Sequence, residues 1–235
     1  MTFDRHILVG DIHGCIEEFD ELIKTLSYNK EKDKLILLGD LIDRGPDSVG
    51  VIRRAQELRA ESVMGNHEHK LVRWLQNPDM NSVSKMRLFY LKFSEQDIRY
   101  ITKMPSYLKL NKTIAVHAGL KPGIFLENQS KDDLLYLRYL DSKNNFVSFK
   151  TVQELGKEQT GVNFWTQLWT GPESVVYGHT VHSYNSPLIE EVSPDVFCYG
   201  LDTGCCFGGK LTALILESKE IVQVTSKKTY YHSRL

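Results

Sequence analysis

The chain lacks any apolar run approaching the ~18 residues that would read as a membrane-spanning helix, so no membrane segment is expected. No cleavable apolar core follows the N-terminal MTFDRHILVGD, so no secretion signal is expected either. Neither charge sign is in excess: Lys and Arg number 29, Asp and Glu 30, and the formal net charge is −1. That balance argues against a binder of duplex nucleic acid working through a broad basic surface. It leaves room for a small phosphorylated ligand gripped by a few arginines. Cysteine is scarce and unpatterned: Cys15, Cys198, Cys205 and Cys206 contain no Cys-x-x-Cys, which argues against a zinc knuckle. Adjacent Cys205 and Cys206 are poorly placed to bridge each other, and the four are read as reduced thiols of a cytoplasmic chain. No internal repeat, low-complexity linker or domain boundary is visible.

What is present is enough for one full core: 235 residues, 41% of them hydrophobic. His6–Val9 reads as a short buried strand, and Ile16, Phe19, Leu22, Ile23 and Leu26 recur at helical spacing behind it. Lys34–Leu38 is a second strand, followed by a helix that opens near Pro46 and runs to Ala60. Glu61–Met64 is a third. Strand, polar tip, helix, three times over, predicts a layered α/β fold with ligands at the carboxyl ends of the strands. Residues 71–107 read as a helical insert, with Ser94 and Asp97 as a capping box. Thr113–Val116 and Ser174–Tyr177 are further strands. From Asp195 to Val224 apolar and polar residues alternate, with a hairpin turn at Glu217–Glu220. The core is expected to be two sheets with helices outside, over residues 1–225, and the polar tail 226–235 is expected to fray.

Five strand ends carry residues of metal-ligand type: Asp11 with His13, Asp40, Asn66, His117 and His179. Each alone has a bland reading. An Asp-x-His after a strand is ordinarily a solvated turn, Asp40 suits a helix cap, and His117 after an apolar run is ordinarily a core histidine. Together they are too many for one ordinary site. Carboxylate, imidazole and amide oxygen suit borderline divalent ions, and the set fits two ions ~3.5–4 Å apart sharing one bridging carboxylate, an arrangement suited to attack on phosphorus. His6, His69, His182 and His232 are read as surface or packing residues. Trp165 and Trp169 are read as one packing face, and Cys205 and Cys206 as having no direct role in chemistry.

GDIHG at 10–14, GDLIDRG at 39–45 and GNHE at 65–68, followed by VHAGL at 116–120, YGHT at 177–180 and GLDTGCCFGGKLTA at 200–213, resemble the phosphoprotein phosphatase group of the calcineurin-like metallophosphoesterases. The resemblance covers nearly the whole chain. It implies a single-domain α/β fold, a β-sandwich of two mixed sheets flanked by helices in a four-layer αββα order. It implies that Asp11 and His13 hold a first metal, that Asp40 bridges both, and that Asn66, His117 and His179 complete the second. His67 would be the general acid, oriented by Asp43, with Arg44 on the phosphate and Arg138, in YLRYL, as a second phosphate-binding arginine. A metal-bound hydroxide would be the nucleophile. Manganese is the expected ion, with iron, zinc, nickel or cobalt as substitutes.

Two branches of the group fit. Small prokaryotic-type Ser/Thr protein phosphatases carry GNHE and GHT, as here. Symmetrical diadenosine tetraphosphatases carry a segment very like LDTGCCFGGKLT and an Arg-Tyr pair like Arg138-Tyr139. Many protein phosphatases place an arginine where this chain has Met64. The expectation from sequence leans to a phosphomonoesterase acting on phosphorylated protein or peptide, as a cytoplasmic monomer, with dinucleoside polyphosphate hydrolysis as the alternative.

Overall fold

The computed structural model describes residues 3–77 and 89–232. The chain opens with β1 (Arg5–Val9), α1 (Ile16–Thr25), β2 (Asp33–Leu37), α2 (Ser48–Glu57), β3 (Glu61–Ser62) and α3 (Asn66–Gln76). It continues through α4 (Glu95–Thr102), β4 (Tyr107–Leu110), β5 (Thr113–Val116), α5 (Lys131–Tyr136), β6 (Tyr139–Leu140) and β7 (Phe146–Val147). Next come α6 (Phe149–Leu155), α7 (Lys157–Thr160), β8 (Asn163–Phe164) and β9 (Ser174–Tyr177). It ends with β10 (Leu188–Ser193), β11 (Val196–Gly200), β12 (Lys210–Ile215) and β13 (Glu220–Thr225).

Two mixed sheets form the body. One has the order β13-β12-β1-β2-β3, with β1, β2 and β3 parallel; the other has the order β10-β11-β9-β5-β4, with β11, β9 and β5 parallel. Side chains alternate across each strand, and the alternation sorts the apolar residues into layers. Leu8, Ile36, Leu38 and Leu214 of the first sheet meet Ala115, Val176, Tyr199 and Leu201 of the second. Their neighbours Ile7, Val9, Leu35 and Leu37 turn outward onto Phe19 and Leu22 of α1 and Val51 and Ile52 of α2. Ile114, Val116, Val175 and Tyr177 face Leu134, Leu140 and Trp165 on the far side. This is the four-layer α/β sandwich that the sequence led one to expect.

The structure differs from the sequence reading in particular places. Helix α2 starts after Pro46 and ends at Glu57, short of Ala60; Asp47 is its N-cap, the carboxylate accepting from Gly50 N at 2.8 Å. The third strand is only two residues long in the ladder. Within the expected helical insert, 71–107, α3 ends at Gln76 and α4 spans Glu95–Thr102, and residues 78–88 lie outside the described residues. The Ser94–Asp97 capping box is formed, with Asp97 N to Ser94 Oγ at 3.2 Å and Ser94 N to Asp97 Oδ2 at 2.9 Å. A small sheet β7-β6-β8 lies in a stretch for which the sequence offered no periodicity.

The tail does not fray over its described part. Ser226 is buried. Lys227 N and Tyr230 Oη both donate to the buried Glu18 Oε1, at 2.9 and 2.8 Å, and the Tyr230 and Tyr231 amides donate to Cys206 O at 3.0 and 2.9 Å. A polar string of residues can dock when a buried carboxylate and a bare carbonyl need donors, and composition does not reveal that need. Among the described residues no helix is long and apolar enough to cross a membrane.

Leu8 sits fully buried between the two sheets. Leu8→Ala should lower unfolding free energy by about 2–5 kcal/mol, read from urea denaturation. A loss under about 1 kcal/mol, the range of a volume-conserving swap, would mean that the two sheets do not share one core.

Candidate active site

The carboxyl ends of β1, β2 and β3 in one sheet, and of β5 and β9 in the other, lie along one edge of the sandwich. That edge brings Asp11, His13, Asp40, Asn66, His67, His117 and His179 together. Asp40 is at the centre. Its Oδ2 is 3.6 Å from His13 Nε2 and 3.8 Å from His67 Nε2, and its Oδ1 is 3.4 Å from His117 Nε2. His117 Nε2 also lies 3.0 Å from Asn66 Oδ1 and 3.1 Å from His179 Nδ1. Asp11 Oδ2 is 3.9 Å from His13 Nε2.

The backbone has to bend hard to do this. His13 (φ 48°), Asp40 (φ 50°), Asp43 (φ 73°), Arg44 (φ 67°) and His179 (φ 65°) all take left-handed conformations that side chains with a Cβ rarely adopt. Such strain persists only where surrounding bonds over-determine it. Here Asp11 Oδ1 accepts from His179 N at 2.9 Å and Asp40 Oδ1 from His67 N at 3.0 Å, so the carboxylates themselves tie the loops to one another. Two glycines make the room: a Cβ at Gly65 would strike Asp40, and one at Gly178 would strike Asp11 Oδ1.

Second contacts set the imidazole tautomers. His13 Nδ1 donates to Ile42 O at 3.0 Å and His117 Nδ1 to Leu38 O at 2.8 Å, which leaves both Nε2 atoms unprotonated and near Asp40. Burial lowers the pKa of His13 to about 3, with Arg44 and His67 adding to the shift over the opposing pull of Asp40. Burial likewise holds His117 low and His179 very low, so all three rings are neutral at physiological pH, the form that ligates metal. Burial, Asp202 and Asp40 push the Asp11 carboxyl well up, and burial first of all raises Asp202 to about 6. Crowded buried carboxylates, neutral imidazoles and a His179 Nε2 with no hydrogen-bond partner make a donor set that a cation would satisfy. Two triplets, His13–Asp40–His67 and Asp40–His117–His179, each hold ligand atoms within 4.8 Å of one another, and they share Asp40. The residues therefore fit a divalent metal.

His67 is placed for proton work. Its Nδ1 pairs with Asp43 Oδ2 at 2.8 Å, turning Nε2 into the cleft. Burial opposes protonation of His67, but the Asp40 charge and the Asp43 hydrogen bond outweigh it and raise the pKa. The same hydrogen bond lowers Asp43 to about 2. The Arg44 guanidinium spans His13 Nε2 (2.7 Å) and His67 Nε2 (3.2 Å), with Phe207 and Tyr231 against it, their ring centroids 5.2 and 5.8 Å from its Cζ. Arg138 stands at the cleft edge, where Nη2 donates to His179 O at 2.9 Å and Nε to Thr180 Oγ1 at 3.2 Å. It braces the His179 turn. The remaining histidines lie outside the cluster: His6 pairs with Glu217, and His182 packs on Phe164 and bonds Tyr177. Trp165 packs on Trp169 and on Tyr177.

Two residues escaped the sequence reading. Glu68, fully buried, accepts four backbone N–H groups: Asp40 (2.8 Å) and Gly65 (3.1 Å) at Oε2, Leu41 (2.9 Å) and Ile42 (3.1 Å) at Oε1. It locks the loop carrying Asp40 onto the start of α3. The signal was available, because a Glu three residues past Gly65 is the second half of a capping box. Asp202 follows β11, another parallel strand of the second sheet, and is buried beside this cluster; its strand-end position was the available signal.

The fold and this cluster define a metal-dependent phosphoesterase, and the chain belongs to the calcineurin-like phosphoesterases, whose profile matches residues 5–209. Among its relatives is the bis(5'-nucleosyl)-tetraphosphatase PrpE [asymmetrical] of Oceanobacillus iheyensis, 30% identical over 95% of this chain and 93% of that one. The symmetrical bis(5'-nucleosyl)-tetraphosphatase of Wigglesworthia glossinidia brevipalpis is 27% identical, over 94% and 99%. A crystal structure assigned provisionally as a diadenosine tetraphosphatase superposes with a TM-score of 0.79 at 27% identity, covering 94% of this chain and 93% of that chain. A Saccharomyces cerevisiae serine/threonine phosphatase structure, at 14% identity and TM-score 0.56 over 98% and 82%, shares the fold.

Glu68 touches none of the groups in the cleft, yet Glu68→Gln should be costly. An amide would turn an NH2 toward backbone N–H donors, leaving buried donors unpaired at about 1–3 kcal/mol. Manganese affinity should fall roughly 10–100-fold, as for other outer contacts of metal ligands. Calorimetric titration and thermal melting check both; unchanged metal affinity would mean that Glu68 does not position Asp40.

Proposed function

We propose that this chain hydrolyses the phosphoanhydride bridge of dinucleoside polyphosphates, with diadenosine tetraphosphate as the representative substrate. The observation that carries the reading is the setting of Arg44. A guanidinium suited to phosphate oxygens has two aromatic rings beside it, Phe207 and Tyr231, the latter 44% exposed. A phosphate with stacking surfaces next to it suits a nucleotide; a phosphoserine needs no such rings. The relatives named above carry tetraphosphatase names, which supports the same choice. The lean toward a phosphoprotein substrate drawn from GNHE and GHT gives way to it.

In this reading Asp11, His13, Asp40, Asn66, His117 and His179 would hold the divalent metal. When bound, the metal polarises phosphoryl oxygens and lowers the pKa of a water. The chain's own groups do the rest. Arg44 draws two phosphate oxygens toward the cleft, and Arg138, held by His179 O, adds positive charge on the far side. His67 Nε2 gives its proton to the leaving phosphate oxygen, while Asp43 keeps the ring turned. Manganese, and a monomeric cytoplasmic enzyme, belong to the same proposal.

His67→Asn should cut turnover on poor leaving groups by roughly 10²–10⁴ and cost much less on an aryl phosphate. An equal loss on both would remove the general-acid role. Phe207→Ala should raise KM for diadenosine tetraphosphate about 5–100-fold, the worth of one stacked base, and leave KM for an aryl phosphate unchanged. The deciding comparison is kcat/KM, in manganese, for diadenosine tetraphosphate against a phosphothreonine peptide. A peptide preferred a hundredfold would overturn the proposal.

A further inference from the structure

Behind the cleft lies a second cluster that this chemistry does not use. Cys15, Glu18 and Cys205 bring two thiol sulfurs and a carboxylate oxygen within 4.8 Å of one another. Their relative exposures are 0, 0 and 2%. Cys15 caps the start of α1, Glu18 sits one turn further along, and Cys205 opens the short 3₁₀ turn Cys205–Phe207 that follows β11. Glu18 is only half satisfied. Its Oε1 accepts from Lys227 N and Tyr230 Oη, but its buried Oε2 has no hydrogen-bond partner. An orphaned carboxylate oxygen away from water is costly unless a proton or a cation meets it.

We infer that Cys15, Glu18 and Cys205 form a metal site, separate from the phosphate cleft, for a thiophilic divalent ion of the zinc and cadmium class. Sulfurs bound at ~2.3 Å to a tetrahedral ion stand roughly 3.8 Å apart, a spacing within reach of ligand atoms that lie within 4.8 Å of one another. Binding displaces the two thiol protons to solvent. Two thiolates and the Glu18 carboxylate then surround the dication, and Oε2 gains its partner. The two sites differ in donor softness: the cleft offers nitrogen and oxygen, this one sulfur. Manganese is therefore directed to the first and zinc-class ions to the second. The ion would clamp the start of α1, just behind His13, to the turn that carries Phe207 to Arg44. Cys15 Sγ already reaches back to His13 O at 3.8 Å.

The test is a cadmium titration of the manganese-loaded protein, followed by thiolate-to-cadmium charge-transfer absorption in the ultraviolet. The expected result is a band saturating at one equivalent per chain. It should be lost in Cys205→Ser and in Cys15→Ser, weakened in Glu18→Gln and retained in Cys206→Ser. No band, or a band that survives Cys205→Ser or depends on Cys206, overturns the site. Should the serine variants fail to fold, X-ray absorption of the wild-type protein carrying one cadmium equivalent decides. Two sulfurs with oxygen support the site, and a shell of nitrogen and oxygen alone overturns it.

Discussion

Everything at the working edge depends on keeping one carboxylate, Asp40, buried among imidazoles. Its own loop cannot do this, because the residue sits at positive φ and the carboxylates of Asp11 and Asp202 are near enough to push against its charge. The loop holds because its amides have somewhere to go. Glu68 takes the N–H groups of Asp40, Leu41 and Ile42, and Asp40 in turn takes that of His67. A buried carboxylate thus organises the backbone that presents another. The remaining charge imbalance is what a pair of divalent ions would settle, and a family of metal-dependent phosphoesterases is where the chain belongs.

The same economy of contacts sets the direction of each ring. Backbone carbonyls of Ile42 and Leu38 take one nitrogen of His13 and His117, and the Asp43 carboxylate takes one of His67. Burial keeps the His13 and His117 rings neutral against the pull of those carbonyls; the Asp40 charge and the Asp43 hydrogen bond make His67 favour its proton. The same ring therefore differs between these positions by its burial and by the charges beside it.

The carboxyl-terminal residues are part of this site in a way that a polar decapeptide does not advertise. Buried Glu18 and the carbonyl of Cys206 draw residues 227–231 back across the body, and Tyr231 arrives beside Arg44. Helix α1 thereby serves two faces: its start follows the Asp11–His13 loop, and its first turn anchors the tail.

Residue order alone determined the layered α/β class and the identity of the cleft residues. Short apolar runs ending in polar tips are local patterns, the first three followed by a period-3.6 stretch, and Asp11, His13, Asp40, Asn66, His67, His117 and His179 all stand at or just beyond such tips. Periodicity was silent over 121–173, where the strands are two residues long and leave no alternation to detect. Only the tertiary structure decided what lies across from what. The closing of two mixed sheets face to face brought the ends of β5 and β9 to those of β1, β2 and β3. Apart from Gly65 N, the hydrogen-bond partners of the Glu68, Arg138 and Glu18 side chains lie 26 or more residues away, as with Asp40 and Glu68 at 28 and Lys227 and Glu18 at 209. A long-range hydrogen bond leaves no mark on local composition. It forms because burial makes an unpaired donor or acceptor costly, and burial exists only once the chain has folded.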